Sequence, residues 1–340
     1  MPENVKLDSK DRKILSILTF NSRTSSSTIG KLTKISREVV DYRIKKMVKS
    51  GVIIRNKILI DPDPLGLFLY QINLKFQNCS SEEEAEIISW ITDGENIHWV
   101  AKTTPEWDYV IEFYVSGAKE FMNKLYRIVE LAGENIRDYD FNLEVYNEHM
   151  GYRFLAPNFK LDQKFFCRDR KSFQPDFAKP RKKFKYDKID MKILDILEEN
   201  SRIPLIKIAK KLVLDAKTVR TRISRLVRGG VIIKFICVVN NQKIGYTWNR
   251  VLLKFKNTSL ARLSTIREFL RGNKNIIWVV QHISSGDTLK FSVMTDNNES
   301  FTQILDELWT KFKDVILNLK VINTVKRLSL IHISEPTRPY

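Results

Sequence analysis

The sequence predicts an α+β fold made of two tandem units, each a winged helix-turn-helix followed by a ferredoxin-like βαββαβ domain. Three observations lead to this prediction: the two halves of the 340-residue chain repeat each other, each half opens with three short helical patterns, and each half continues with a mixed strand and helix pattern. The length suits two to four domains, and 43% hydrophobic residues are enough to fill their cores.

An internal repeat relates the two halves at an offset of 179 residues. The segment KLDSKDRKILSILTFNSR, which begins at Lys6, matches KYDKIDMKILDILEENSR, which begins at Lys185. The same offset takes Trp99 to Trp278, and a slip of one residue is needed only after Asp108. Self-similarity over about 150 residues indicates a duplicated two-domain unit.

Each unit begins with a pattern of three helices. The predicted N-caps of the first and third helices are Asp8, Ser36, Asp187 and Asp215. The second helix is predicted at about 25–32 in the first unit and 205–212 in the second. The third helix ends at Gly51 or at Gly229, and the β-rich runs VIIRNKILI and VIIKFICVV that follow are typical of a wing hairpin.

The rest of each unit follows the order strand, helix, strand, strand, helix, strand, which is the ferredoxin-like order. In the first unit the predicted elements are 68–76, 82–92, 97–104, 109–115, 118–131 and 136–146. In the second unit they are 248–256, 260–271, 276–283, 288–294, 299–312 and 315–325.

These patterns predict five domains or segments and a tail. They are a winged helix-turn-helix at 1–62, a βαββαβ domain at 63–150, a linker at 151–185, a second winged helix-turn-helix at 186–241, a second βαββαβ domain at 242–327 and a tail at 328–340. The linker is basic but rich in phenylalanine, so part of it is expected to lie on a domain surface. The tail LSLIHISEPTRPY breaks the repeat and is interpreted as read-through of a sequencing adapter. On this interpretation His332 has no functional role.

Composition points to a polyanionic partner in the cytoplasm. The net charge of +18 favours a polyanion, because neutralising phosphates releases counterions, but the charge alone does not say which polyanion. The sequence has no apolar run long enough for a membrane span or a signal peptide, so a cytoplasmic location is expected. Cys79, Cys167 and Cys237 are dispersed and odd in number, so we expect reduced thiols, no metal site and no cofactor.

The charge divides unevenly between the two βαββαβ domains. Residues 58–150 carry 6 basic and 18 acidic residues, and residues 237–327 carry 14 basic and 7 acidic residues. Two helix faces are expected to provide the opposite charges: Glu82, Glu83, Glu84 and Glu86 in the first domain, and Arg262, Arg267, Arg271 and Lys274 in the second. This difference predicts that the two domains pair with each other within one chain. The alternative is that the acidic face only repels DNA and that the domains pair between chains.

The third helix of each unit is the candidate recognition helix, because it buries one apolar stripe and presents a basic, hydrogen-bonding face. Residues expected near base edges are Ser36, Arg37, Glu38, Asp41, Tyr42, Lys45, Ala216, Lys217, Thr218, Arg220, Thr221 and Ser224. Residues expected on phosphates are Arg43, Lys46, Lys49, Arg222, Arg225 and Arg228. Any surface helix carries such charges, but placement in two helix-turn-helix units favours double-stranded DNA as the partner. The two faces differ, which predicts an asymmetric site.

The order LDxxDxxIL, NSR, helix-turn-helix, GVI, LG and βαββαβ resembles the Lrp/AsnC family of bacterial and archaeal regulators, and it does so in both units. The usual member has one unit and dimerises through its βαββαβ (RAM-type) domains, often with an amino acid bound near that interface. The resemblance therefore implies an archaeal-type transcription regulator, with no enzyme activity, in which two fused units act as a pseudo-dimer.

The resemblance also implies an effector site beside a Gly-Asp turn before the third strand of each βαββαβ domain. The corresponding residues are Trp107 and Asp108 in the first unit and His282, Ser285, Gly286 and Asp287 in the second. The first unit lacks the glycine, and its tryptophan would crowd a pocket that depends on close backbone approach. An ordinary polar turn explains the same residues equally well.

Two other functions remain open at this stage. Enzymes that decarboxylate sirohaem-type tetrapyrroles are similar in fold, but His98, His149 and His282 form no recognisable acid-base set with lysine, tyrosine or carboxylates in the sequence. An architectural protein that compacts DNA with little sequence preference would use the same helices.

Overall fold

The computed structural model describes residues 4–94, 97–159, 183–256, 258–283 and 288–329. The first half contains α1 (Ser9–Phe20), α2 (Ser26–Thr33), α3 (Arg37–Lys49), β1 (Ile53–Ile60), β2 (Phe68–Phe76), α4 (Ser81–Thr92), β3 (Ile97–Thr104), β4 (Tyr109–Val115), α5 (Ala118–Ala132) and β5 (Ile136–His149). The second half contains α6 (Lys188–Glu199), α7 (Leu205–Leu212), α8 (Ala216–Arg228), β6 (Ile232–Val239), β7 (Thr247–Phe255), α9 (Leu260–Gly272), β8 (Ile276–Ile283), β9 (Thr288–Thr295), α10 (Asn298–Phe312) and β10 (Ile316–Ser329). The predicted α+β fold with a repeated element order is confirmed.

The helix boundaries follow from local capping. The four predicted N-cap side chains, Asp8, Ser36, Asp187 and Asp215, all accept hydrogen bonds from backbone N–H groups in the first turn of their helices. In α1 and α6 the third helical residue is also an aspartate that accepts from the cap backbone, which completes a capping box. Gly51 and Gly230 follow α3 and α8 with φ of +70° and +79°, a conformation that glycine adopts without strain.

The predicted wing hairpins are wrong. Each β-rich run forms one strand, and β1 pairs antiparallel with β6 from the other half, in a two-stranded ribbon. The register places Lys57 opposite Ile236, and these two residues are equivalent positions of the repeat. The sequence could not distinguish the two arrangements, because a strand pairs equally well with its neighbour or with a distant copy.

The remaining eight strands form a closed barrel. Each half contributes four strands in the ferredoxin-like order, β3-β4-β2-β5 and β8-β9-β7-β10, and the pairs β5–β8 and β10–β3 join the two sheets at both edges. In the first half, α4 and α5 cover the outer face, where Ile72 and Leu74 pack with Phe121. The inner face is polar, with Gln71 and Arg250 among the side chains that line its cavities.

The helix-turn-helix layers are interlaced with the opposite halves. The core of α1, α2 and α3 includes Cys237 and Met294 from the second half. The core of α6, α7 and α8 includes Ile58 and Tyr114 from the first half. Each three-helix segment therefore completes its core with residues from the other half.

The charged helix faces of the βαββαβ domains do not meet as expected. Glu83 caps its own helix at Ser80, and Glu84 binds Lys102 of the same unit. Ion pairs join the two halves elsewhere: Arg271 of α9 binds Glu148 of β5 at 2.9 Å, Lys320 binds Glu106, and Lys57 binds Glu198 at 2.9 Å. Opposite charges do meet across the halves, but through different acidic residues from those that the sequence suggested.

The segment predicted as a linker begins inside a core. Tyr152, Phe154 and Leu155 are buried against α1, and the N–H of Tyr152 donates to the hydroxyl of Thr19 at 2.9 Å. Residues 160–182, and residues 330–340 of the predicted tail, lie outside the described part of the chain. Within the described ranges no helix is both long and apolar enough to cross a lipid bilayer.

Candidate DNA interface and interior cavities

The two candidate recognition helices present different exposed faces. In α3 the cap Ser36, together with Arg37, Glu38, Tyr42, Lys45, Lys46 and Lys49, is exposed, while Asp41 is half-buried and accepts a hydrogen bond from Ser26. In α8 the exposed residues are Lys217, Arg220, Thr221, Ser224, Arg225 and Arg228, with Ala216 and Thr218 half-buried. The first face therefore mixes carboxylates with lysines, and the second is basic with hydroxyl groups.

Three arginines that were expected on phosphates contact carboxylates within the protein. The guanidinium of Arg43 donates to Asp8 at 2.7 Å and to Asp11 at 2.8 Å. Hydrogen bonding to the Asp11 amide and to Arg43 keeps the pKa of Asp8 below its ordinary value. These contacts tie α3 to the start of α1, which is a positioning role that the sequence pattern did not reveal.

The same brace recurs in the second unit. Arg222 binds Asp187 and Asp190, each at 2.9 Å, and Arg225 also binds Asp190. The Asp190 side chain is fully buried, whereas the Asp11 side chain keeps 12% of its exposure. The second recognition helix is therefore held by one more ion pair, and by a more deeply buried carboxylate, than the first.

The NSR motif of each unit forms the contact between the two three-helix segments. The hydroxyl groups of Ser22 and Ser201 hydrogen-bond each other at 2.7 Å, and these residues are 179 positions apart. Arg23 donates to the carbonyl of Ser201 at 2.7 Å, and Arg202 donates in the same way to the carbonyl of Ser22. This reciprocal contact, which we call the NSR clasp, places a pseudo-two-fold axis between the two recognition helices.

The predicted effector residues are only partly brought together. Trp107 from the first half and His282 from the second line one cavity of about 210 Å³ at the barrel interior, together with Arg250 and Lys290. Asp108 instead holds its own turn, since it binds Lys75 at 2.9 Å and accepts from the N–H of Phe76. Ser285, Gly286 and Asp287 lie outside the described residues.

A second interior cavity, of about 140 Å³, lies between the β1–β6 ribbon and the barrel. Its lining includes ribbon residues, three indoles, two imidazoles and several charged groups: Lys57, Leu59, Ile236, Cys237, Val238, Trp99, Trp248, Trp278, His98, His149, Glu112, Glu144, Arg250 and Lys290. The fold brings His98 and His149 to one cavity with lysines and carboxylates, a grouping that the sequence did not show. The signal was present in the alternation of polar residues along the strands, but the sequence did not show which strand faces would meet.

The environment of this cavity shifts the pKa of several groups. Burial raises the pKa of Glu144 to about 8, and the nearby Glu112 adds to the effect. Burial lowers the pKa of Lys290 to about 8. The pKa values of His98 and His149 are held well below the ordinary histidine value by burial and by neighbouring lysines. At neutral pH both imidazoles and the Glu144 carboxyl are therefore mainly uncharged.

No group of three histidine, cysteine, aspartate or glutamate side chains in the described part of the chain is arranged to hold a metal ion. Cys79 and Cys237 are free thiols, and burial raises the pKa of Cys237 to about 12, so it is not a reactive thiolate. Cys167 lies outside the described residues.

Comparison with known proteins relates both helix-turn-helix segments to DNA-binding domains. Residues 7–48 match an AsnC-type helix-turn-helix domain, and residues 186–233 match a winged helix-turn-helix DNA-binding domain. The HTH-type transcriptional regulator FL11 of Pyrococcus furiosus is 33% identical over 121 residues, which are 35% of this chain and 78% of that protein. FL11 of Pyrococcus abyssi is 29% identical over 129 residues, which are 38% of this chain and 84% of that protein.

One solved structure is similar over nearly the whole chain. The siroheme decarboxylase NirDL superposes with a TM-score of 0.61, covering 96% of this chain and 95% of its own chain, at 13% sequence identity. A likeness at this identity shows the shared tandem fold alone.

Proposed function

The chain belongs to the Lrp/AsnC family of DNA-binding transcription regulators, and from this premise we propose that it binds one asymmetric DNA site as a fused pseudo-dimer. The observation that supports the proposal is the difference between two similarly braced recognition helices. In an ordinary dimer both helices carry the same residues and read an inverted repeat. Here Asp41 and Tyr42 of α3 stand where α8 carries Arg220 and Thr221.

The NSR clasp and the β1–β6 ribbon fix the relation between the two helices. Helices related by a two-fold axis reach successive major grooves, about 34 Å apart along the duplex. We assign base contacts to the exposed N-terminal parts of α3 and α8. We assign phosphate contacts to Lys46, Lys49 and Arg228, while Arg43 and Arg222 position their helices.

Selection of bound duplexes from a random pool tests this proposal with the full chain. We expect two different half-sites at a fixed spacing of about one helical turn. Recovery of perfect inverted repeats only would contradict the asymmetry, and recovery without any sequence preference would favour an architectural protein. A variant in which residues 216, 217, 220 and 221 take the identities of the matching α3 residues is the control, and it should shift selection toward an inverted repeat.

We further propose that the regulator responds to a small molecule such as an amino acid. The cavity of about 210 Å³ beside Trp107 and His282 supports this, since both halves contribute to it. Thermal unfolding with individual amino acids tests the proposal, because a ligand that binds only the folded state raises the melting temperature. No shift with any amino acid at millimolar concentration would remove it.

A tetrapyrrole decarboxylase is the second candidate, and two observations favour it. One is the fold shared with NirDL, and the other is the meeting of His98 and His149 with charged residues in one cavity. The cavity sizes oppose it, because about 150 Å³ holds only a benzene-sized ligand and a tetrapyrrole is several times larger. A visible spectrum that changes on adding a tetrapyrrole, together with release of CO₂, would replace the regulator proposal.

A further inference from the structure

Each recognition helix has an outer line of exposed residues opposite its buried stripe. In α3 this outer line consists of Glu38, Tyr42, Lys45 and Lys49. In α8 the outer line consists of Lys217, Thr221, Ser224 and Arg228. The first residue of each line precedes a fully buried valine, Val40 or Val219, by two positions, which is about 200° around the helix. These first residues point away from the core at the N-terminal end, which is the end of a recognition helix that contacts base edges.

The first residues of the two outer lines carry opposite charges. Glu38 and Lys217 are equivalent positions of the repeat, and each is the second residue of its helix. In the described part of the chain, neither side chain forms a hydrogen bond or an ion pair with another residue. The other carboxylate of α3 that could face DNA, Asp41, is half-buried and accepts a hydrogen bond from Ser26. Glu38 is therefore the carboxylate of α3 that is left to contact a base.

A carboxylate in the major groove has few favourable partners. The phosphates of DNA repel it, and the edges of guanine and thymine present acceptors without a donor. Cytosine presents the N4 amino group, which donates, and adenine presents a donor beside the N7 acceptor. A carboxylate that loses its water and meets no donor is costly. The base that suits Glu38 best is therefore cytosine.

An ammonium group at the same place has the opposite requirement. Lysine donates hydrogen bonds and accepts none, and guanine presents two acceptors, O6 and N7, on its major-groove edge. The amino group of cytosine offers no acceptor to Lys217. The same base pair in the reverse orientation therefore suits the second helix.

We propose that Glu38 and Lys217 determine specificity by reading one base pair in opposite orientations. Glu38 accepts from cytosine N4 in the first half-site, and Lys217 donates to guanine O6 and N7 at the equivalent position of the second. This inference rests on the proposed function, because it requires two half-sites. In a perfect inverted repeat both helices would meet the same base, so this position breaks the symmetry of the site.

A glutamate in the first turn has another role that needs no DNA, because it stabilises the helix dipole. The equivalent Lys217 opposes the dipole of α8, whose first turn has no acidic residue, so the repeat does not require an acid at this position. The two roles differ on substitution. Loss of a dipole contact lowers the melting temperature, whereas loss of a base contact changes base preference.

Selection of random duplexes by the full chain and by two single variants, Glu38→Lys and Lys217→Glu, tests the proposal. The wild-type protein should select cytosine in the first half-site and guanine at the equivalent position of the second. Glu38→Lys should replace that cytosine by guanine, and Lys217→Glu should replace that guanine by cytosine. Each variant should thus make this one pair of positions symmetric while the rest of the site stays asymmetric.

Competition between two duplexes that differ only at the base pair facing Glu38 measures the preference. The general gain in affinity from an added positive charge cancels in this ratio, because both duplexes carry the same phosphates. We expect the wild-type protein to favour cytosine over guanine by about tenfold, and Glu38→Lys to reverse the preference. Glu38→Gln keeps the size of the side chain and adds a donor, so its preference should move to adenine.

Lys46→Glu is the matched control, since it reverses a charge on the same helix away from the outer line. It should weaken binding to both duplexes and leave their ratio unchanged, as expected for a contact with phosphate.

The outcomes separate this inference from the proposed function. Two different half-sites whose base preferences stay the same in Glu38→Lys and Lys217→Glu would overturn this inference alone. The same unchanged preference with a lower melting temperature for Glu38→Lys would assign Glu38 to the helix dipole instead. Selection without any sequence preference would overturn both the inference and the proposed function.

Discussion

The two copies of the repeat share one scaffold and differ on the exposed faces of α3 and α8 and inside the barrel. Both copies have an aspartate cap, an arginine brace and an NSR segment at equivalent positions. The exposed faces of α3 and α8 carry different residues. The barrel interiors differ as well: Glu112 of β4 pairs with Trp99 in the first copy, whereas Ser292 of β9 pairs with Trp278 at the equivalent position of the second copy. In a symmetric dimer each residue occurs at both equivalent positions, so the two sides cannot differ. Fusion of two copies removes this constraint and allows each copy to carry its own residues.

The two braces are not equally buried, so removal of the central carboxylate should cost more stability in the second copy than in the first. Asp190→Asn should cost about 2–3 kcal/mol of unfolding free energy, because it breaks two arginine pairs to a fully buried carboxylate. Asp11→Asn should cost about 1 kcal/mol, since Asp11 binds one arginine and is partly exposed. Urea unfolding of both variants measures the difference, and equal losses would show that the braces are equivalent.

The reading faces should respond differently to loss of one side chain. Arg220→Ala should relax preference at one base position by about 1–3 kcal/mol, because an exposed arginine near the N-terminus of α8 can read a guanine edge. Lys46→Ala should weaken all sequences alike and lower the salt dependence by about one phosphate contact. Binding assays on a set of single-base variants of the selected site, at several salt concentrations, measure both. A uniform loss for Arg220→Ala would place that residue on the backbone instead.

The local features of the fold could be predicted from the sequence because they depend on nearby residues. The caps at Asp8 and Asp187 and the strand-helix order follow from spacing within about 20 residues. The pairing of β1 with β6 joins residues about 180 positions apart, and nothing in either strand distinguishes that partner from a hairpin.

The candidate sites also differ in whether the sequence could predict them. The exposed faces of α3 and α8 could be predicted, because they follow from one helical period. The cavity of about 140 Å³ between the β1–β6 ribbon and the barrel could not be predicted, because its lining residues come from nine strands whose pairing the sequence did not show. The braces at Arg43 and Arg222 were missed for a related reason: a basic residue on a surface helix fits a phosphate and an internal carboxylate equally well.

The barrel interiors of the two copies should differ in how stability depends on pH. The pKa of Glu144 is raised to about 8, so its contribution is present below its unfolded value, near 4.3, and is lost as the pH rises through 8. Glu144→Gln keeps an acceptor for the Asn147 side chain and removes this loss. The variant should therefore be more stable than the wild type at pH 8.5 and nearly equal to it at pH 4. Unfolding at both pH values measures this, and a gain that does not depend on pH would contradict the assignment.

The smallest expected effect concerns the ion pair in which Arg271 of α9 binds Glu148 of β5, across the two halves. Arg271 and Glu148 are each about one-third exposed and 2.9 Å apart, so Arg271→Met should cost about 0.5–1 kcal/mol, with the loss shrinking as salt rises. Glu82→Gln is the matched control: Glu82 lies in the acidic first turn of α4, where the sequence suggested the pairing surface. We expect this control to change stability by less than about 0.5 kcal/mol at any salt concentration. Urea unfolding at low and high salt compares the two variants. A larger loss from Glu82→Gln would mean that the acidic first turn of α4, and not Glu148, carries the attraction between the halves.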